Sequence, residues 1–228
     1  MNDLGVPLPN ERQTELATFV AVFDPQNAPE VSVTAQIVRD LEAKLNQEVR
    51  GGDGVSQRGP GQIVSVPRSQ LDLLMEKERI EVRQRYYGKS PEDFSKMTDL
   101  LMSVLETMEI DPGEFSWVKF GFNYIQSVTT DSAAVERLAL NLFSGDFSRA
   151  VEYPIVGAAV WTWLELPDSV LWLRLEPYRS DPKANRVTVT ANFLIEKPTQ
   201  LTLKKTEIEG KLIGYSTELD KLLGRIGL

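Results

Sequence analysis

The chain has no histidine and no cysteine among its 228 residues. Without thiols there can be no disulfide, iron–sulfur cluster, thiolate zinc site or cysteine nucleophile. Without imidazole there can be no Ser-His-Asp triad, histidine metal site or histidine acid–base chemistry. Any catalysis must therefore draw on Asp, Glu, Lys, Tyr, Ser or Thr, with Mg²⁺ as the available metal. Positive charge is also scarce: 25 Lys and Arg stand against 33 Asp and Glu, a formal charge of −8. That balance disfavours broad nucleic-acid binding and leaves room only for a local basic face. No run of 18 apolar residues occurs, and the opening MNDLGVPLPNERQ lacks a basic stretch followed by an apolar core. The expectation is a cytoplasmic protein with no membrane contact and no signal peptide.

What is present is ordinary globular composition, 42% hydrophobic and 25% charged, enough to build a core without covalent staples. Residues 1–15 read as a flexible N-terminal tail and 16–228 as a single domain. LATFVAVF (16–23) is a β-branched and aromatic strand. Ser32 is placed to cap a helix running to about Glu48, with Val33, Ile37, Leu41, Leu45 and Val49 as one stripe ending at Gly51-Gly52. RGGDGVSQRGPG (50–61) reads as a flexible loop. Strands with a tight turn near Glu76–Glu78 follow. Ser90, Pro91 and Asp93 then open a helix whose buried stripe is Phe94, Met97, Leu101, Val104, Leu105 and Met108.

FSWVKFGFNYIQSV (115–128) alternates aromatics on both faces and suits a central strand covered on both sides. A short helix over 131–143 follows, then a hairpin around LPDS, a strand over 186–196 and a C-terminal helix from about Thr206 to Leu223. Ile208, Leu212, Tyr215, Leu219 and Leu222 lie on one face of that helix. Strands follow one another by hairpins as often as by helices. That predicts an α+β fold with a largely antiparallel sheet and three or four helices. The rhythm repeats loosely, which raises a division into two similar halves, about 16–112 and 113–228.

Three groups of residues could carry function. In the strand after Glu78, Arg79, Glu81, Arg83, Arg85 and Tyr87 share one face, with Lys89 nearby. Three guanidinium groups beside an aromatic ring could hold phosphates, an acidic partner or single-stranded RNA; alternatively they form a solvated face that Glu81 neutralises in part. Trp161 and Trp163 share a face of the predicted hairpin, with Trp172 on its second strand. Sheet packing is their default role, and exposure would make them an oligomer or partner interface. The surrounding PIVGAAVWTWLEL is expected to be buried, inside the fold or between subunits. The carboxylates Asp53, Asp72, Glu76 and Glu152 are the acids to inspect for a Mg²⁺-dependent hydrolase, but their spacing gives no sign of convergence. No catalytic, cofactor or metal residue is assigned.

The stretch from Asp72 to Val128 resembles a sporadically distributed, uncharacterised family of bacterial proteins of about this length. The shared pattern is an apolar strand, a charged turn, an R-I-x-V strand, a tyrosine, a helix opened by an acidic-aromatic step and a G-x-x-Y-[IV]-x-x-[IV] strand. It maps onto Arg79-Ile80 with Val82, Tyr86, Glu92 to Phe94, and Gly121, Tyr124, Ile125 and Val128; Gln126-Ser127 departs from the family's usual Arg or Asn. The resemblance implies a prokaryotic or phage α+β protein from mobile or defence-associated gene settings, and no catalytic motif travels with it. The leading expectation is a non-enzymatic interaction protein, antitoxin-like, chaperone-like or a defence-complex subunit, with another protein or a second copy as partner. Nucleic-acid binding through the arginine face is the alternative.

Overall fold

The computed structural model describes residues 12–24, 26, 32–56, 59–86, 94–111, 117–129, 159–177, 186–196, 204–225 and 228. They form an α+β fold in two layers. The strands are β1 (Arg12–Phe23), β2 (Arg50–Ser56), β3 (Gly59–Val66), β4 (Leu71–Glu76), β5 (Arg79–Arg85), β6 (Trp117–Thr129), β7 (Val160–Glu165), β8 (Val170–Pro177) and β9 (Arg186–Glu196). The described helices are α1 (Ala35–Leu45), α2 (Ser95–Thr107) and α3 (Lys205–Arg225). All nine strands join one sheet in the order β2-β3-β4-β5-β1-β6-β9-β8-β7, and every pairing is antiparallel. Read outward from the β1–β6 seam, each side runs first strand, last strand, then back through the hairpins to an edge. The edges are β2 and β7.

One face of this sheet carries the core. Strand alternation puts Phe19, Val82, Phe120, Phe122, Tyr124, Leu173, Val189 and Phe193 on that side, all buried. The helices lie over it. Tyr215 of α3 stacks on Phe193 with ring centroids 4.5 Å apart and tilts against Phe122 at 5.2 Å. The Tyr124 hydroxyl donates to the Leu212 carbonyl at 2.6 Å, and burial holds this phenol well above its ordinary range. Phe94, just before α2, meets both Tyr86 and Tyr124 edge-on. Neighbouring helices are tied by polar contacts: Lys44 with Glu106 between α1 and α2, and Lys205 with Asp99 at 2.6 Å between α3 and α2. The core faces of α2 and α3 match their sequence stripes at Met97, Leu101, Val104, Leu105, Ile208, Leu212, Tyr215 and Leu219.

Several boundaries differ from the sequence expectation. Residues 12–15 belong to β1 rather than to a tail, because their backbone pairs with β6 from Arg12↔Val128 onward. Helix α1 is capped by Thr34, whose Oγ1 accepts from the Ile37 N–H at 3.3 Å, and it stops at Asn46 in the left-handed region. In its stripe only Leu41 and Val49 are fully buried; Val33, Ile37 and Leu45 pack at the core margin.

The expected loop at 50–61 is instead the β2–β3 hairpin. Two of its glycines, Gly51 and Gly61, stand where a Cβ would meet another atom at under 3 Å. A Cβ at Gly51 would lie 2.6 Å from Val38 Cγ2 and 2.7 Å from Val33 Cγ1, so α1 can approach the strand only where the side chain is absent. Gly51→Ala should therefore lower stability by about 1–3 kcal/mol. Gly52→Ala, whose Cβ meets nothing within 4 Å, should be neutral or slightly stabilising. Urea midpoints of the two variants check this, and equal shifts would contradict it.

Candidate functional site

Opposite the helices, the second face of the sheet bears the sequence-predicted residues, and among the described residues no helix packs on it. Arg79, Glu81, Arg83 and Arg85 lie on this face of β5, as their alternation with buried Ile80, Val82 and Gln84 requires. The registers Asp72↔Arg83 and Glu76↔Arg79 bring acids of β4 alongside them. The result is an alternating ion-pair network. Arg79 Nη2 contacts Glu81 Oε2, and Arg79 Nη1 lies 3.8 Å from Glu76 Oε2. Arg83 Nη2 binds Glu81 Oε1 at 2.8 Å, and Arg85 Nη2 reaches Asp72 Oδ2 at 3.8 Å. Asp72 also accepts from Ser65 Oγ at 2.7 Å. Three guanidinium groups thus share three carboxylates, and the row carries little net charge. Tyr87 and Lys89 lie outside the described residues, as do Glu152 and the helix expected over 131–143.

Trp161 and Trp163 lie on the same face of the sheet but at its far edge. Strand order places β1, β6, β9 and β8 between β5 and β7, about 24 Å at the usual strand spacing. The arginines and tryptophans therefore do not form one site. Contrary to the expected burial of PIVGAAVWTWLEL, Trp161 is 56% and Trp163 67% exposed. Residues alternate along β7, so Val160, Thr162 and Leu164 turn to the core side and the indoles turn away. Strand β8 supports them. Trp163 pairs with Trp172, and Trp161 with Arg174; the Trp161 and Trp172 rings pack edge-to-face at 5.7 Å. The Arg174 guanidinium lies 4.7 Å from the Trp161 ring centroid and is paired with Glu176, so it braces the ring from below.

The hairpin itself is clamped to the helix layer. Its turn residue Asp168 pairs with Lys211 of α3 and accepts from Ser169 Oγ at 3.2 Å. Burial pushes the Asp168 carboxyl up, but hydrogen bonding and charge from Lys211 outweigh it and hold the group below its usual value. Burial likewise opposes the charge on Lys211, which the Asp168 bond nonetheless raises above the ordinary lysine value. A lysine held charged in this way is a clamp rather than a base. Arg174 and this clamp were not singled out in the sequence, because each depends on a partner brought in by strand register or helix docking.

Elsewhere a cleft of about 370 Å³ lies between α1, α2 and the turn after β3. Of its charged lining, Lys44 is engaged with Glu106 and Asp99 with Lys205, while Lys96 also borders it; Ser69 Oγ donates to Gln47 at 2.6 Å. Among the described residues no group of three or more acids converges as a metal set, and no helix is long and apolar enough to cross a membrane. No family model and no curated protein matches the chain.

Proposed function

We propose that this chain is a non-catalytic, cytoplasmic assembly protein that engages a protein partner through the tryptophan face of the β7–β8 hairpin. The observation that supports this reading is the pair of large indoles, more than half exposed, on a strand that closes one edge of the sheet. Exposed tryptophans on a paired strand, one of them packed against a neighbouring ring and a cation as Trp161 is, resemble the anchors that dominate protein interfaces. The arginine row, tied into carboxylates, offers far less to a polyanion than its count suggests.

A photo-crosslinking residue in place of Trp163 should give discrete protein adducts in cells. The same residue at Lys221, on the outer side of α3, should give none. Replacing both Trp161 and Trp163 with alanine should weaken the captured interaction by at least tenfold, the range of interface anchors. Raising salt should leave that interaction intact or strengthen it, whereas phosphate binding weakens steeply. Adducts that disappear with nuclease, or none at all, would sink the proposal.

A further inference from the structure

Strand β7 is unusual for a sheet edge. Edge strands commonly carry lysines, prolines or bulges that discourage pairing with another chain. The opposite edge, β2, is guarded: RGGDGVS contains three glycines, Arg50 and Asp53. VWTWLE has one charge, at its end, and no proline, glycine or bulge.

Hydrogen bonding decides which backbone groups β7 presents. The Leu166 N–H donates to the Ser169 carbonyl at 2.9 Å, closing the hairpin, and the register continues without a shift from Glu165↔Val170 to Val160↔Leu175. In an antiparallel ladder inward bonding recurs at every second residue. Residues 160, 162 and 164 therefore bond to β8, and Trp161, Trp163 and Glu165 turn their N–H and carbonyl groups outward. Among the described residues nothing pairs with that edge.

We infer that two copies of this chain associate by antiparallel pairing of β7 with β7, about a two-fold axis at Thr162. This rests on the interaction reading above and names its partner. Outward-bonding residues can pair only with outward-bonding residues, so each allowed register sets odd-numbered positions opposite one another. The register centred on Thr162 places Trp161 opposite the second copy's Trp163 and the reverse, the arrangement in which both indoles gain an aromatic cross-strand neighbour. On the core side it sets Val160 against Leu164, two residues already packed at the core margin. The strand's only charge falls opposite Ala159. The two copies of Glu165 then lie six residues apart along the ladder, about 20 Å, beyond the screening length at physiological salt. Registers shifted by two residues bring Glu165 onto Trp161 or unpair one of the tryptophans. The strand thus complements itself better than an arbitrary strand would. Each copy carries a formal charge of −8, so added salt should strengthen the dimer.

Absence of cysteine makes a register-specific test available. Residues 162 of two copies would form a non-hydrogen-bonded pair with Cα atoms about 4.5 Å apart, within disulfide reach. Thr162→Cys should give a covalent dimer on mild oxidation, and Glu165→Cys should not. In sedimentation velocity the unmodified protein, 25.6 kDa as a monomer, should approach twice that mass as concentration rises to about 200 µM, a range suited to a small interface. Trp163→Pro removes an outward N–H that β8 does not use, and Trp161→Lys with Trp163→Lys guards the edge. Both variants should remain monomeric with unchanged circular dichroism.

A wild-type chain that stays monomeric, or a dimer that survives both variants, would overturn the pairing. So would faster oxidation at 165 than at 162. A monomer whose Trp163 photo-adducts contain a different protein would overturn the self-pairing while leaving the interaction reading intact; adducts of twice the chain mass support both. If the variants fail to fold, the oxidation comparison still decides.

Discussion

Replacing Phe122 with alanine should cost about 3–5 kcal/mol of folding stability, the range for emptying a buried aromatic site. Phe122 is fully buried at the middle of β6. It is paired across the sheet with Phe19 on one side and Phe193 on the other. Its ring lies 5.3 Å from that of Phe19 and 5.2 Å from that of Tyr215. The side chain therefore joins the two halves of the sheet and the helix laid across them. Removing it leaves a cavity bounded by rings on three elements, which cannot all move inward together. Domain stabilities are about 5–15 kcal/mol in total, so this single change should bring the chain close to unfolding. Phe122→Leu, which keeps most of the volume, should cost less, about 1–2 kcal/mol. Trp163→Ala, at an exposed site, should change stability by about 0.5 kcal/mol or less. Urea midpoints with an unchanged slope would establish the order, and a Phe122→Ala midpoint near that of the parent would show that the ring is not a packing centre.

The α+β class and the antiparallel sheet could be read from the sequence because they rest on local pattern. Residues 186–196 alternate so regularly that the observed strand has the expected bounds. The stripes of α2 and α3 recur at helical spacing, and the glycines at 210 and 214 did not interrupt α3. Gly51 and Gly52 misled because glycine marks both loops and close approaches. What distinguishes them is the position of α1 over β2, a tertiary fact. Period two showed that Trp161 and Trp163 share a face. It could not show that the face is open, since burial of a strand depends on whether other strands flank it, and β7 became an edge only through the strand order. The same holds for the arginines: their common face was legible from their spacing. Their neutralisation by Glu76 and Asp72 required the β4–β5 register.

That neutralisation leads to a second large effect. Glu81→Ala should destabilise the protein by about 2–4 kcal/mol, somewhat less than the cost of about 3–5 kcal/mol for breaking a fully buried ion pair from one side. The Glu81 side chain is only 11% exposed, and its two oxygens are shared between Arg79 and Arg83. The Nε atoms of both arginines are buried without an acceptor, so loss of the carboxylate leaves two under-bonded cations at once. Partial exposure of Arg83 lets water recover some of that cost. Replacing Glu81, Arg79 and Arg83 together with methionine, with Glu76→Gln added so that the carboxylate facing Arg79 is not left charged without it, should restore most of the lost stability, because the charges vanish with their partners. Glu81→Gln keeps the shape and removes only the charge. It should free the row to bind polyanions, with an affinity that falls as salt rises, where the wild-type protein binds little. If Glu81→Gln and wild type bind RNA equally well, the carboxylate does not restrain these arginines, and the row deserves its place as a nucleic-acid interface. If only the variant binds, the face that looked most like a binding site in the sequence is held shut by its own acids, and the tryptophan edge is left as the surface with binding capacity to spare.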